Sequence, residues 1–504
     1  MRKRYISAVL IFILLILSGC QGKVEEQVSD YDGRTFYEIF VRAFKDSDGD
    51  GIGDLRGVTD SLDYLEDLGV QGLWLMPINS SPSYHGYDVT DYYSINSQYG
   101  TLEDLKELIV EADKRDIMIV MDMVINHTSS EHPWFKEASS SPDSKYRDYY
   151  IFTEDEKKSR EASPMGAGAP WVKNSIREEY YYALFWGGMP DLNFDNEGLR
   201  EELKKIAKFY LELGIDGFRL DAAKWIYNNT EDNLQWWREY NSYVKEINPK
   251  AVLIGEVWDN ISGMEPYAEV LDSFFVFSMG EDIIKGLTWK NLNGIGDKLS
   301  ASHKRLKEKN PDFVPAPFLS NHDQNRVMNQ LMNIDKYKAA AVIYLTMPGT
   351  PYIYYGEELG MSGKKPDERI REPFLWSENL KENTQWIDIT NDSSIALENQ
   401  RDKEDSLFNL YKTIINLRKN NPVLRLGDIE ALEQDHKEVY AVERTYEESK
   451  AYIFVSLAEG ESEVNIEKGS YNILYSNINE QESLDTEGKL KLKAREILII
   501  KKAD

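Results

Sequence analysis

The sequence predicts an α/β protein built on a closed (β/α)8 TIM barrel, because eight short apolar runs alternate with longer amphipathic segments. In one of these segments, apolar residues recur at the spacing of one helix face from Leu199 to Leu213, and Gly214 ends the pattern. An open doubly wound sheet is the alternative, but no glycine fingerprint follows the first strand. The predicted strands cover residues 35–41, 72–78, 118–125, 217–222, 252–257, 273–277, 318–320 and 351–355.

Two departures from the repeat complete the predicted architecture. Residues 128–194, after the third strand, are rich in Ser, Pro, Gly and aromatic residues and lack a helical period, so we expect an inserted subdomain B over the barrel mouth. The barrel then comprises residues 34–127 and 195–426. Residues 427–504 change to alternating strand patterns, at 439–446, 451–457, 471–475 and 490–500, which predict a C-terminal all-β sandwich domain.

The N-terminus has the pattern of an export signal. Basic residues 2–4 precede an apolar stretch, 5–17, that is short for a membrane span, and Leu-Ser-Gly-Cys20 follows. We therefore expect a lipoprotein signal peptide with a lipobox over residues 1–20, lipidation of Cys20, and a tether over 21–33; an ordinary signal peptide with an incidental cysteine is the alternative. The predicted location is extracellular, with a lipid anchor in the cell membrane.

The amino-acid composition limits the classes of molecule that the protein is expected to bind. The chain has 504 residues and a formal net charge of -28, which repels nucleic acid and anionic lipid surfaces, so we expect a neutral or cationic ligand and no membrane contact beyond the lipid anchor. Cys20 is the only cysteine, so an exported chain has no internal disulfide. The chain contains no repeat array, and we expect a monomer.

Three acidic residues stand at the ends of predicted strands: Asp221, Glu256 and Asp323. Burying an unpaired carboxylate is costly, so each is expected to face a shared cleft. Arg219 lies on the same strand face as Asp221 and favours its ionised form, as a nucleophile needs, while apolar neighbours of Glu256 favour a protonated acid. Neighbouring strand ends can bring the two carboxyl groups to about 5 Å, the separation of a retaining glycosidase.

Four short motifs carry a family resemblance, in this order: Asp122-Met-Val-Ile-Asn126-His127, Gly217-Phe-Arg219-Leu-Asp221-Ala-Ala-Lys224, Gly255-Glu256-Val-Trp258 and Ser320-Asn321-His322-Asp323. The chain resembles the α-amylase family of glycoside hydrolases across nearly its whole mature length. Met189-Pro-Asp-Leu-Asn193 is similar to a fifth motif, in the form of the group intermediate between oligo-1,6-glucosidases and neopullulanases. This resemblance implies that Asp221 is the nucleophile, Glu256 the acid/base and Asp323 the third acid. It also implies substrate-binding roles for His85, Tyr87, Asp88, His127, Arg219, His322 and Arg326.

The function implied is an endo-acting, retaining α-amylase that hydrolyses α-1,4-glucosidic bonds in starch and maltooligosaccharides without an organic cofactor. Ala222 after the nucleophile is more usual in α-1,4-acting members than in strict α-1,6 ones. The alternatives are an α-glucosidase, a cyclomaltodextrinase or neopullulanase, or a transglycosylating enzyme of the same family. A non-catalytic glycan-binding relative is disfavoured because all three acids are present.

A calcium site is expected in the first strand-to-helix loop, from Asp46, Asp48, Asp50, the carbonyl of Ile52, and Asp54. Alternate aspartates with glycine at a sharp turn can surround a hard cation with oxygen, although a solvated acidic turn is the alternative. The resemblance also implies a second calcium site that uses Asn126 and the carbonyl of Trp225.

Overall fold

Eight parallel strands form the central sheet of the computed structural model, which describes residues 29–166, 168–434, 436–478 and 481–503. Cys20 and the predicted signal peptide lie outside these ranges. Within them, no helix has both the length and the apolar character needed to cross a bilayer. The strands are β1 (Phe36–Ile39), β2 (Gly72–Leu75), β3 (Met118–Met123), β4 (Gly217–Leu220), β5 (Val252–Gly255), β6 (Ser273–Phe275), β7 (Val314–Ala316) and β8 (Tyr352–Tyr354).

The sheet closes into a barrel. Successive strands pair in parallel from β1 to β7, and β8 pairs with β1. Two backbone hydrogen bonds close the remaining gap between β7 and β8: Thr350 N–H to the Pro315 carbonyl and Tyr352 N–H to the Pro317 carbonyl, both 2.9 Å. The predicted (β/α)8 barrel is therefore confirmed.

The position predicted for the seventh strand, 318–320, is wrong. The strand lies at Val314–Ala316, and residues 318–320 follow its end. Pro315 and Pro317 interrupt the apolar pattern and lack a backbone N–H, so the sequence disfavours a strand there. Their carbonyl groups nevertheless accept the closing hydrogen bonds from β8.

Side chains along each barrel strand point alternately into an inner core, inside the barrel, and an outer core, between the barrel and the helices. Inward-facing side chains such as Trp74, Ile254 and Phe275 fill the barrel, and the neighbouring residues, such as Leu73 and Leu253, pack against the surrounding helices. At the carboxyl ends of the strands the inward positions become polar. The longer helices around the barrel are Leu102–Asp113, Glu197–Leu213, Thr230–Ile247, Phe277–Trp289, Ile295–Lys309, Ile334–Leu345 and Leu407–Asn420.

Shorter helices lie in the loops and at the domain junction: Val41–Phe44, Leu55–Thr59, Leu62–Leu68, Ile261–Met264, Val327–Leu331, Asp367–Ile370, Leu397–Gln400 and Pro422–Leu426. A short hairpin, Asn79–Ser80 with Asp91–Ile95, follows β2. Between β3 and the helix Glu197–Leu213 the chain forms a helix, Pro133–Ser140, and a three-stranded sheet from Phe152–Thr153, Trp171–Lys173 and Tyr180–Tyr182. Backbone bridges from His127 to Asp191 and from Tyr150 to Leu192 bring the two ends of this segment together beside the barrel mouth.

The C-terminal strands form two layers. A six-stranded sheet contains β9 (Asp428–Ala431), β10 (Val439–Tyr446), β11 (Ser449–Ser456), β13 (Gly469–Ser476), β14 (Ser483–Thr486) and β16 (Ile497–Lys502). A two-stranded sheet pairs β12 (Ser462–Asn465) with β15 (Lys489–Leu492), and apolar residues from both sheets share one core. The single strand predicted over 490–500 is wrong, because the chain turns at Arg495, which has a positive φ of 55°, and enters the other sheet.

Candidate active site

One buried guanidinium joins three carboxylates at the carboxyl ends of β3, β4 and β5. Arg219 is 1% exposed. Its Nη1 donates to Asp122 Oδ1 at 2.8 Å and to Asp221 Oδ1 at 2.7 Å, and its Nη2 lies 3.0 Å from Glu256 Oε2. The strand register explains the arrangement, because Asp122 and Ile254 are the backbone partners of Arg219 on the two neighbouring strands. The structure therefore brings the predicted nucleophile and acid/base together.

Asp221 comes directly after β4 and points into the barrel mouth. Its backbone N–H donates to the Met123 carbonyl at 3.3 Å, which fixes the residue against β3. Burial raises the pKa of Asp221, and the hydrogen-bonded guanidinium of Arg219 opposes that rise. A carboxylate held by a cation in a cleft is suited to nucleophilic attack.

Glu256 follows β5 and shares its Oε2 atom between Arg219 and the backbone N–H of Ala222, which donates at 2.9 Å. Ala222 adopts a left-handed conformation, with φ of 49°, at the turn after the nucleophile. Burial raises the pKa of Glu256; Arg219 opposes the rise, and the charge of Asp221 adds to it. A carboxyl group that keeps its proton beside an ionised neighbour is suited to act as a general acid.

Asp323 is held ionised by two cations. His322 Nε2 lies 3.1 Å from Asp323 Oδ2, and Arg371 Nη2 donates to Asp323 Oδ1 at 3.0 Å. Burial alone would raise the pKa of Asp323, but His322 and Arg371 more than offset it and hold that pKa well below its usual range. The carboxylate is therefore ionised near neutral pH.

Asp323 and Glu38 together hold His322 in its protonated, positively charged form. Its Nδ1 lies 2.5 Å from Glu38 Oε1 on β1, and the imidazole is completely buried. Burial lowers the pKa of His322, whereas Asp323 and Glu38 raise it, and the outcome is a pKa of about 9. The Tyr87 hydroxyl lies 2.7 Å from His322 Nε2 and donates to Asp122 Oδ2 at 3.1 Å, and the Tyr87 ring stacks on His322.

A cavity of about 630 Å³ lies at the barrel mouth, and Arg219 and His322 are buried outside its lining. Such a volume lies within the range of small-molecule sites. The three acids share its wall with His85, Tyr87, His127 and Arg371, and the segment after β3 contributes Met165, Phe185 and Met189. His127 is neutral, because burial lowers its pKa to about 4, and its Nε2 donates to the Tyr87 carbonyl at 3.1 Å. Hydrogen-bonding side chains on an apolar background are suited to a sugar.

Besides Arg219 and His322, two more predicted substrate-binding residues do not line this cavity. Asp88 is buried and accepts hydrogen bonds from Ser81 and Ser83, so its carboxylate supports the loop. Arg326 is also buried, and its Nε and Nη1 donate to the carbonyl groups of Ile370 and Tyr355 at 2.7 Å. The roles expected of Asp88 and Arg326 in contacting substrate do not match this placement.

Three site residues were missed. Asp122 and Glu38 stand at inward positions near the carboxyl ends of β3 and β1, a signal that strand alternation provides. Arg371 lines the cavity and holds Asp323, a role close to the one expected of Arg326. Its loop lies 48 residues beyond Asp323, and no spacing in the sequence connects the two.

The acidic loop after β1 brings Asp46, Asp48 and Asp50 together, with one carboxylate oxygen of each within 4.8 Å of the others. Asp54 does not join them. It is the N-cap of the helix Leu55–Thr59, and its oxygens accept from Ser47 and from the Gly57 N–H at 2.7 to 2.8 Å. The fourth carboxylate expected at this site is therefore used for helix capping.

The two ligands named for the expected second calcium site contact each other directly, with Asn126 Nδ2 2.8 Å from the Trp225 carbonyl. On its other side the amide lies 3.2 Å from Nδ1 of His127, and a neutral His127 that donates through Nε2 accepts there from an amide nitrogen. The amide oxygen would then face the Trp225 carbonyl, and two oxygens are ligands that calcium accepts. The second calcium site stays a prediction.

Comparisons with known proteins agree with the geometry. The family profile described as "Alpha amylase, catalytic domain" matches residues 38–427. Alpha-amylase 3 of Dictyoglomus thermophilum is 44% identical over 469 residues, which cover 92% of each chain. The 4-alpha-glucanotransferase of Thermotoga neapolitana is 33% identical, over 84% of this chain and 96% of that protein. A crystal structure of an alpha-amylase from H. orenii superposes with a TM-score of 0.87 at 40% identity and covers 93% of this chain and 99% of the other.

The interaction between Glu38 and His322 can be tested by measuring the free energy of unfolding. Glu38→Gln removes one of the carboxylates that raise the pKa of His322, so we expect the free energy of unfolding to fall by about 1–2 kcal/mol at pH 6. A raised histidine pKa stabilises the fold fully below about pH 6.5, and this contribution disappears as pH rises through about 9. The difference from wild type, measured by urea unfolding, should therefore shrink between pH 6 and pH 10. Glu103→Gln, at an exposed glutamate, is the control; a pH-independent deficit in Glu38→Gln would contradict the assignment.

Proposed function

This chain belongs to the α-amylase family of glycoside hydrolases, and from that premise we propose that it is an α-amylase that hydrolyses internal α-1,4-glucosidic bonds in starch and maltooligosaccharides. The observation that carries the proposal is the Arg219 guanidinium, which holds Asp221 and Glu256 in one cleft. Double displacement requires a nucleophile and a proton donor in the same cleft, and here one rigid group holds both.

The first step forms a glycosyl-enzyme. An Asp221 oxygen attacks the anomeric carbon while Glu256 transfers its proton to the glycosidic oxygen, so the C–O bond breaks and the leaving chain departs with a hydroxyl group. Glu256 Oε1 accepts no hydrogen bond from the described residues, whereas Oε2 is bound by Arg219 and Ala222. The proton is therefore carried on the oxygen that is free to meet the substrate.

The second step releases the sugar. Glu256, now a carboxylate, takes a proton from water, and the resulting hydroxide attacks the anomeric carbon and displaces Asp221. Two inversions leave the anomeric configuration unchanged. Asp323, ionised by His322 and Arg371, accepts sugar hydroxyl groups and stabilises the positive charge that develops on the ring. Tyr87 and the neutral His127 line the same ring site.

We favour hydrolysis of α-1,4 bonds over the other activities of the family because of the sequence identities to named relatives. The relative named alpha-amylase is 44% identical to this chain, against 33% for the named glucanotransferase, at coverage of 92% and 84%. Ala222, next to the nucleophile, also favours α-1,4 substrates by resemblance. Transfer to a sugar acceptor uses the same acids, so products must separate the two activities.

The test is the product profile on amylose, pullulan, maltotriose and isomaltose. We expect amylose to lose viscosity early through internal cuts, with maltooligosaccharides of α configuration as the first products and no release of glucose from isomaltose. Proton NMR of the first products measures the anomeric configuration. Glucose released only from chain ends would contradict the endo-acting assignment, and products longer than the substrate would indicate transfer.

Two variants assign the acids in the same assay. We expect Asp221→Asn to lower kcat on maltoheptaose by at least about 10⁴-fold while sparing binding. Glu256→Gln should lose as much on maltoheptaose but much less on an α-glucosyl fluoride, whose leaving group needs no proton. Equal losses by Glu256→Gln on both substrates would contradict its role as acid.

We further propose that Asp46, Asp48 and Asp50 bind one calcium ion, with the Ile52 carbonyl as an additional ligand. Three carboxylates within 4.8 Å of one another repel, and a divalent cation would neutralise them. The ion would serve stability and takes no part in the reaction. The support is the oxygen-only ligand set in a turn that Asp46 already organises by accepting from Gly49 and Gly51.

Calcium removal tests this site. Excess EGTA should lower the melting temperature of the wild type by several degrees, and added calcium should restore it, because an ion that binds only the folded state stabilises it. Asp48→Asn should start at a lower melting temperature and respond less to EGTA. An unchanged wild-type melt in EGTA would remove the calcium proposal.

We also propose that the protein is exported and held on the outer face of the cell membrane by a lipid on Cys20. The support is the basic, apolar and Leu-Ser-Gly-Cys pattern of residues 2–20. Wild-type protein should incorporate radiolabelled fatty acid and sediment with membranes, whereas Cys20→Ser should do neither. Ser29→Ala, beyond the predicted lipobox, is the control. Membrane sedimentation of Cys20→Ser equal to that of wild type would contradict the anchor.

A further inference from the structure

We infer that Arg326 is a positioning residue for the reaction: its guanidinium fixes the loop that contains Arg371, and Arg371 in turn fixes the Asp323 carboxylate. This inference rests on the proposed function. Arg326 follows Asp323 by three residues, in the loop after β7, whereas Arg371 lies in the loop after β8. Arg326 is 2% exposed and is not among the residues that line the catalytic cavity. Its side chain therefore acts on the protein and not on the substrate.

The Arg326 side chain bridges the two loops. Its Nε donates to the Ile370 carbonyl and its Nη1 donates to the Tyr355 carbonyl, both at 2.7 Å. Tyr355 directly follows β8, and Ile370 is the residue before Arg371. A planar guanidinium that donates to two carbonyl groups fixes their relative orientation as well as their distance. The peptide group between Ile370 and Arg371 is therefore fixed relative to the end of β8.

Further hydrogen bonds join the same two loops. The backbone N–H of Arg326 donates to the Gly363 carbonyl at 2.8 Å, and the Gly363 N–H donates to Asn329 Oδ1. The Lys365 N–H donates to Asn325 Oδ1 at 2.9 Å. The loop after β8 is thus attached along residues 363–370 to the loop that contains Asp323.

Arg371 transmits this attachment to the active site. Its Nε donates to the His322 carbonyl and its Nη2 donates to Asp323 Oδ1, both at 3.0 Å. Arg371 thus contacts the backbone beside Asp323 as well as the carboxylate. A shift of the Ile370–Arg371 peptide would move the guanidinium of Arg371 away from Asp323. A misplacement of about 1 Å at a catalytic group lowers a rate by about 10²-fold.

The surroundings of Arg326 require the shape of a guanidinium and not only its charge. The guanidinium carbon lies 4.3 Å from the centroid of the Tyr354 ring and 4.7 Å from that of the Tyr355 ring. Two aromatic faces stabilise a buried cation of either kind. A lysine, however, carries its charge at a single point and lacks the planar fork that donates to two carbonyl groups at once.

Arg326→Met and Arg326→Lys test the bridge. The substrates are maltoheptaose and α-glucosyl fluoride, which fills only the ring site beside Asp323. We expect both variants to lose about 10- to 100-fold in kcat on both substrates, because the ring site itself is displaced. KM should change less than about threefold, since Asp323 acts mainly on the charge that develops in the transition state. A contact with a more distant sugar would instead confine the loss to maltoheptaose.

A double-mutant cycle separates positioning from a general loss of stability. In an Arg371→Met background, Arg326→Met should lower kcat by less than about threefold more, because the residue that transmits its effect is gone. Arg444→Met is the matched control. Arg444 is also buried and donates to backbone carbonyls, those of Thr346 and Gly427, at the junction with the C-terminal domain. This control should lower the melting temperature and leave kcat of the folded protein unchanged.

Asn329→Ala tests the same attachment without removing a buried cation, so it keeps the inference testable if the Arg326 variants do not fold. We expect a three- to tenfold loss of kcat, the effect of about one net hydrogen bond, which disappears in the Arg371→Met background. Unchanged kcat in Asn329→Ala would then overturn the inference.

Several results would overturn the bridging role of Arg326: losses confined to maltoheptaose, losses that add fully to that of Arg371→Met, or wild-type activity in Arg326→Lys. The outcome for the proposed function is read separately. A wild type that turns over α-glucosyl fluoride but cuts no α-1,4-glucan contradicts the proposed function and leaves the bridging role to be decided by the variants. A wild type inactive on both substrates overturns both.

Discussion

The buried guanidinium of Arg219 is the constraint on which the site depends. A cation that is 1% exposed is stable only when anions surround it, and three neighbouring strands supply Asp122, Asp221 and Glu256. Parallel register makes this possible, since Arg219 faces Asp122 on one side and Ile254, two residues before Glu256, on the other. The same bonds that stabilise the charge fix the separation and direction of the two reacting carboxyl groups. The interactions that stabilise the barrel mouth are therefore the same ones that align the reacting groups.

Charge balance explains why the acids behave differently. The cluster contains three cations, Arg219, His322 and Arg371, and five carboxyl groups, so not all of the carboxyl groups ionise at low cost. Asp323, with two cations, has a depressed pKa. Glu256 shares Arg219 with two other acids and has a raised one. Asp122 and Asp221, which share the same guanidinium, also have raised pKa values. Burial and mutual repulsion therefore favour keeping a proton among these three acids, and general acid catalysis requires that proton on Glu256.

Strand alternation and local motifs predicted the features whose residues lie close together in the sequence. They located seven of the eight barrel strands and brought Asp221, Glu256 and Asp323 to one cleft. They failed at β7, where prolines concealed the strand, and at Arg326, which follows Asp323 closely in sequence but bonds elsewhere. They also missed Glu38, whose partner His322 is 284 residues away. Contacts between distant loops depend on the closed barrel, and no local pattern encodes them.

Rigid and variable parts of the site have separate origins. The reacting groups stand on strand ends whose register the barrel fixes. A relative named as an alpha-amylase and another named as a glucanotransferase both align with most of this chain. The walls come from elsewhere: Met165, Phe185 and Met189 from the segment after β3, and Asp367 and Arg371 from the loop after β8. Once the glycosyl-enzyme has formed, water and a sugar hydroxyl compete for the same carbon. The residues that line the cavity control whether water or a sugar hydroxyl reaches the anomeric carbon. Changes in these loops can therefore alter the substrate preference and the balance between hydrolysis and transfer without any change in the Arg219 cluster.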